Sequence, residues 1–178
     1  APYAWTLSGP DGQRAVEAQF YDAAGNESAI YSDTVGLDRV GPTDCTVTIA
    51  GGATWTLDRE VTLTLSAADP KPGSGVAQMR LRDGDSAWSA WEPYTATRAW
   101  TLTDAEGQHT VKVQFRDAVG NKSDACSGHI GLDRVAPAGG SVTIEGGAAA
   151  TTDLQVSLAL SITDPSIDSG QAGSGVTH

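Results

Sequence analysis

The groups able to do chemistry in this chain are its carboxylates, three histidines, two cysteines and a set of large aromatic rings. Acidic residues gather where turn formers gather. Asp117 and Asn121 flank Gly120, Asp22 and Asn26 flank Gly25, and Asp38, Asp69 and Asp133 stand where one patterned stretch gives way to the next. Calcium takes several carboxylate and carbonyl oxygens at such places, so Asp69, Asp117, Asn121 and Asp133 are the candidate metal ligands. The competing reading is turn chemistry, in which Asp and Asn side chains bond the nearby backbone. It is the preferred one, because no dense Asp-x-Asp cluster occurs. Trp88, Trp91 and Tyr94 form an aromatic cluster that could stack on a sugar ring. Large aromatics more often bury, which makes Trp88, Trp91 and Trp100 core or core-edge residues in the plainer reading.

Catalysis has no residue-level support. His109, His129 and His178 are far apart, and no serine, histidine and acid arrangement carries a local signature. A glycosidase needs two carboxylates at a set separation, and the loop acids offer no specific pair. The triplets Gly73-Ser74-Gly75 and Gly173-Ser174-Gly175 lack a following helix, so they do not read as phosphate cradles. The charge is 11 basic against 22 acidic residues, a net of −11. That balance speaks against a nucleic-acid phosphate partner and against an anionic membrane surface. Apolar runs are all short, which predicts no membrane insertion. No signal peptide is visible, which means little in a chain that reads as part of something longer.

The elements that must position these groups come in copies. Ala4-Trp5-Thr6-Leu7 recurs as Ala99-Trp100-Thr101-Leu102, and Gly36-Leu37-Asp38-Arg39-Val40 recurs as Gly131-Leu132-Asp133-Arg134-Val135, both at an offset of 95 (99 − 4, 131 − 36). Of the 42 positions from Ala1 to Pro42, 22 match their partner 95 residues on. Val47-Thr48-Ile49 recurs as Val142-Thr143-Ile144, and Asp69-Pro70 as Asp164-Pro165. Gly73-Ser74-Gly75-Val76 recurs at an offset of 100, which implies about five inserted residues between Ser166 and Ala172. The period is domain-sized, so the chain divides into the back half of one unit (1–41), a complete unit (42–137) and the front half of a third (138–178). His109 and His129 fall opposite Arg14 and Thr34, so surface positions are expected for them.

Within the complete unit the pattern has period two. Val61, Leu63 and Leu65 share a face, as do Val111, Val113 and Phe115, with Thr110, Lys112, Gln114 and Arg116 pointing out. This is what half-buried strands require. Strands are expected near 45–50, 60–68, 76–83, 87–92, 98–103, 109–117 and 125–133, with a hairpin signal at Asp83-Gly84. Val16, Ala18 and Phe20 are the inward set of the first unit, and Val156, Leu158, Leu160 and Ile162 that of the third. Trp55 falls opposite Ala150 and is expected to cover a loop or a junction. The fold class expected is all-β: tandem antiparallel β-sandwiches of seven strands each.

Gly73-Ser74-Gly75-Val76, Trp88-Ser89-Ala90-Trp91-Glu92-Pro93-Tyr94, Arg116-Asp117-Ala118-Val119-Gly120-Asn121 and the linker Leu132-Asp133-Arg134-Val135-Ala136-Pro137 resemble the bacterial immunoglobulin-like repeats of large surface and secreted proteins. The resemblance covers the whole chain. It implies tandem Ig-like sandwiches serving as an extracellular stalk, adhesin or filament segment, a non-catalytic spacer. The alternative it implies is a carbohydrate-binding accessory module of a modular secreted enzyme, with a glycan on Trp88, Trp91 and Tyr94. Arg134-Val135 stands where the family often has Thr-Thr or Asp, a departure that weakens any carry-over of metal binding at the linker. The partners implied are neighbouring repeats in the same or an adjacent chain, and a glycan or cell-surface partner.

Cys45 and Cys126 fall opposite Gly140 and Tyr31, so they occur as an added pair in the complete unit. In Ig-like sandwiches the first and last strands commonly run side by side, which makes a disulfide the economical reading and an oxidising, extracellular setting its consequence. Two unrelated buried thiols are the alternative. The two half units would each expose an apolar face. Either the chain is a window on a longer one, or the front of one molecule's third unit joins the back of the next molecule's first.

Overall fold

A computed structural model of the chain describes residues 2–165 and 173–176. Its regular elements are strands, apart from two three-residue turns of 3-10 helix. In chain order they are β1 (Gly12–Ala18), β2 (Tyr31–Leu37), β3 (Thr43–Ile49), β4 (Trp55–Thr56), β5 (Glu60–Ala68), β6 (Val76–Asp83), β7 (Glu92–Pro93), β8 (Thr97–Thr101), β9 (Gly107–Asp117), β10 (Cys126–Leu132), β11 (Ala138–Ile144) and β12 (Leu158–Thr163). Two sheets face each other in the centre of the chain. One has the order β3-β5-β8, the other β4-β10-β9-β6-β7. All pairs are antiparallel except the short parallel pair of β4 with β10. On either side lies a separate two-stranded sheet, β1-β2 before and β11-β12 after.

Period-two patterning builds the central core. Along β5 and β9 burial alternates residue by residue. Val61, Leu63 and Leu65 from one sheet meet Met79, Leu81, Val111, Val113 and Phe115 from the other. Tyr94 packs its ring edge-on to Phe115 at 5.6 Å and donates its hydroxyl to the Leu65 carbonyl. Ile130 and Leu132 of β10 close the core.

Two glycines let β10 pass its neighbours. A methyl group on Gly128 would lie 3.0 Å from the Val47 carbonyl of β3, and one on Gly131 would lie 2.1 Å from the Trp55 ring. Trp55 thus covers the backbone of β10, at a strand, β4, that the pattern does not announce. The Cys45–Cys126 disulfide joins β3 to β10 across the two sheets, with Cα atoms 5.8 Å apart. The pairing expected from the resemblance is therefore present.

Several expectations need correction. Residues 87–92 do not form a strand. Ser89 instead donates its N–H to the Leu81 carbonyl and accepts the Leu81 N–H on its hydroxyl, so one residue satisfies β6 where a strand would have run. Only Glu92 and Pro93 pair as β7. His109 is buried rather than on the surface. Its Nε2 faces the Ala105 carbonyl and its Nδ1 faces Thr103 and Asp83. His129 is exposed, as expected, and His178 lies outside the described residues, as do Ser166 to Ala172. Among the described residues, the inward sets of the flanking hairpins stay largely uncovered: Phe20 is 62% exposed and Leu160 63%.

Candidate functional site

The described residues bring chemistry-bearing groups together most densely where the stretch after β2 enters the central sandwich. Asp38 and Arg39 follow β2 directly and point in opposite senses along the chain. Asp38 reaches forward: its Oδ2 accepts the Ser74 N–H at 2.8 Å. Arg39 reaches back: its Nε donates to Asp11 Oδ1 at 2.7 Å, its N–H to Asp11 Oδ2, and its guanidinium to the Gly9 carbonyl. Gly41 then lies flat on the next turn, where a methyl group would sit 2.4 Å from the Lys122 carbonyl oxygen. The connection is fastened to the element before it and to the element after it.

The same arrangement recurs after β10. Asp133 Oδ2 accepts the Ser174 N–H at 2.7 Å, while Arg134 donates its Nε to Glu106 Oε1 and its N–H to Glu106 Oε2. Asp133, Arg134 and Glu106 stand 95 residues after Asp38, Arg39 and Asp11.

The Gly-Ser-Gly triplet explains how a short loop can receive a carboxylate. Gly73 permits close approach, since a methyl group there would meet Asp69 Oδ2 at 2.5 Å. Gly75 has φ +89°, a left-handed conformation that favours glycine, and its N–H is directed to Asp69 Oδ2. Gly173 and Gly175 treat Asp164 in the same way. The triplet is thus a cradle after all, but for protein carboxylates.

Asp38, Asp69 and Asp117 converge there, each offering one carboxylate oxygen within 4.8 Å of the others. Asp117 is buried. Its Oδ1 accepts the N–H groups of Val119, Gly120 and Asn121, and its Oδ2 accepts the Asn121 amide at 2.8 Å. The turn chemistry expected for Asp117 and Asn121 is present, and Asp22 with Asn26 repeats it. Asn121 also donates to the Asp38 carbonyl, so it braces the cluster. Asp69 Oδ1 is buried and has no hydrogen-bond partner.

Hydrogen bonds from Ser74 hold the Asp38 carboxyl below its ordinary range against the opposing effect of desolvation. The Ser174 and Val135 N–H groups do the same for Asp133. Carboxylates this close repel one another in a partly desolvated site, and the oxygen set has the hard character that calcium takes. Of the four ligands expected from sequence, Asp69 and Asp117 meet here and Asn121 stands beside them. Asp133 lies at the second connection, next to Ser174. The third carboxylate is Asp38, which the sequence placed among the loop acids but not among the four expected ligands. The repetition of Asp-Arg at 38–39 and 133–134 was the available signal.

Trp88 and Trp91 take a different place from Tyr94. They lie on the outer face of the five-stranded sheet, interleaved with arginines of β6 and β9. Arg82 and Arg80 stand 4.6 and 4.8 Å from the Trp88 ring, and Arg80 and Arg116 stand 4.7 and 4.6 Å from the Trp91 ring. Gln114 and Gln78 accept from Arg80 and Arg116 and keep them in line. A sugar stacking on these rings must displace a guanidinium, and Tyr94 belongs to the core. The rings are therefore a half-buried outer layer, neither core nor a bare platform.

No protein-family model matches the chain, and no curated protein matches it. Among the described residues, no helix is long and apolar enough to cross a membrane.

Proposed function

We propose that the chain is a segment of a non-catalytic extracellular spacer built from tandem Ig-like sandwiches, which holds whatever lies beyond it at a fixed distance. The observation that carries this reading is the doubly fastened connection. Each linker binds backward through an arginine and forward through an aspartate, so neighbouring units are set at one orientation instead of swinging. The strand orders β3-β5-β8 and β4-β10-β9-β6-β7 support an Ig-like arrangement, in which two antiparallel sheets of a unit of about 100 residues pack face to face. Hairpin registers that recur 95 residues on, Gly12↔Leu37 with Gly107↔Leu132 and Thr43↔Ala68 with Ala138↔Thr163, support the tandem organisation. The disulfide suits an oxidising compartment. The uncovered faces of the flanking hairpins are the places where strands of another unit, in the same or an adjacent chain, pack.

A cation on Asp38, Asp69 and Asp117 is part of the same reading. It is favoured by one observation beyond the clustering of acids, the buried and unpartnered Asp69 Oδ1. Small-angle scattering at neutral pH is expected to give an elongated profile. A compact or flexibly averaged profile would contradict the spacer. Calcium is expected to raise the melting temperature relative to chelator. Identical melting in both would remove the ion and leave the spacer standing.

A further inference from the structure

The disulfide has a position along the chain that matters when the chain is pulled. Cys45 is the third residue of β3, and Cys126 is the first of β10. The two strands run in the same direction side by side, because Cys45 meets Cys126 and, further along, Val47 and Ile49 lie against Gly128. The chain therefore enters the central sandwich at the start of β3 and leaves it at the far end of β10. Tension drags Thr43 one way and Leu132 the other, which loads the contact between these strands in shear.

We infer that the Cys45–Cys126 bond makes the central sandwich a force-bearing element that transmits tension without unfolding. With the bond closed, the load path runs from Thr43 to Cys45, across the sulfurs, and along Cys126 to Leu132. The last stretch is a strand and already extended, so it has almost no slack to give. The 80 residues between the cysteines carry none of the load (126 − 45 − 1). At about 3.4 Å per extended residue they hold about 270 Å of hidden length. Without the bond, resistance falls to hydrogen bonds and packing, chiefly the parallel pairing of β4 with Gly131 and Leu132 and the β9–β10 ladder. The corresponding positions of the flanking units are Gly140 and Tyr31, so this reinforcement belongs to the central sandwich.

The inference rests on the spacer reading, since only a chain that joins two bodies is put under tension. The experiment is single-molecule force extension of the whole chain, with a handle at each end. Three states are compared: the oxidised protein, the same protein reduced in place by a phosphine, and the double variant Cys45→Ser with Cys126→Ser. The phosphine becomes its oxide while the bond takes up two electrons and two protons. The oxidised chain is expected to show no long step from the central sandwich. The reduced protein and the variant are expected to show one of about 270 Å. A step of that length in the oxidised protein overturns the inference, and so does a reduced protein that extends no further than the oxidised one. Reduction of the already folded wild type keeps the test valid if the variant fails to fold. Failure of the spacer reading appears elsewhere, as a compact scattering profile, and leaves these step lengths unchanged.

Discussion

Gly41 is a residue at which the orientation of the first connection can be broken. Its Cα rests against the backbone of Lys122, and a side chain has no room there. Gly41→Ala is expected to push the linker off the turn and loosen it, while the melting temperature of the central sandwich stays within a degree or two. Backbone relaxation measurements across residues 38–42 read this directly; unchanged order there would show that the close approach is not what holds the linker. Asp38 and Asp133 add a pH dependence. Both carboxyls are held below their ordinary value by hydrogen bonds, and those from Ser74 and Ser174 exist only when the linker is docked. Protonation therefore favours the undocked form. Their contribution is fully present above the ordinary carboxylate value of about 3.9 and is lost as pH falls through the lowered folded values. Amide exchange at Ser74 and Ser174 is expected to accelerate below about pH 4 before the core amides of β9 do. Loss of both sets together would assign the acid sensitivity to the sandwich instead.

Strands were legible wherever one face is buried and the other wet. Val111, Val113 and Phe115 in β9 and Val61, Leu63 and Leu65 in β5 announce their elements by period two alone, and each lies in the core. Residues 87–92 misled because their two tryptophans are three apart, a spacing that suits neither face of a strand. Their rings answer to arginines on β6 and β9, partners that no local pattern reveals. The same holds for the acidic cluster. Asp38, Asp69 and Asp117 are 31 and 48 residues apart, and only closure of the sandwich onto the preceding linker makes them neighbours. His109 read as a surface residue because its copy is Arg14, yet a ring bonded to Ala105 and facing Asp83 is satisfied inside. The tryptophan–arginine layer can be tested as an element. Trp91→Ala leaves Arg80 and Arg116 without the ring between them, and each such contact contributes about 0.5–1 kcal/mol at a partly exposed site. A loss of about 1–2 kcal/mol in denaturant unfolding is expected, and a variant as stable as the parent would reduce the layer to a coincidence of packing.

Across the whole molecule, a spacer requires that successive units keep one orientation. A net charge of −11 keeps such chains apart in solution and opposes pairing of their exposed strand edges, but it does not fix a direction. Direction comes from the paired grips of Asp38 on Ser74 and Arg39 on Asp11, repeated by Asp133 on Ser174 and Arg134 on Glu106. The most direct measurement is the distance distribution between two spin labels placed across the first connection, one at Glu17 on β1 and one at Thr62 on β5, both exposed positions. A single narrow distance at neutral pH, broadened when Asp38 and Arg39 are both replaced by alanine, is the predicted result. A distribution already broad in the unaltered protein, and indifferent to those two substitutions, would contradict it.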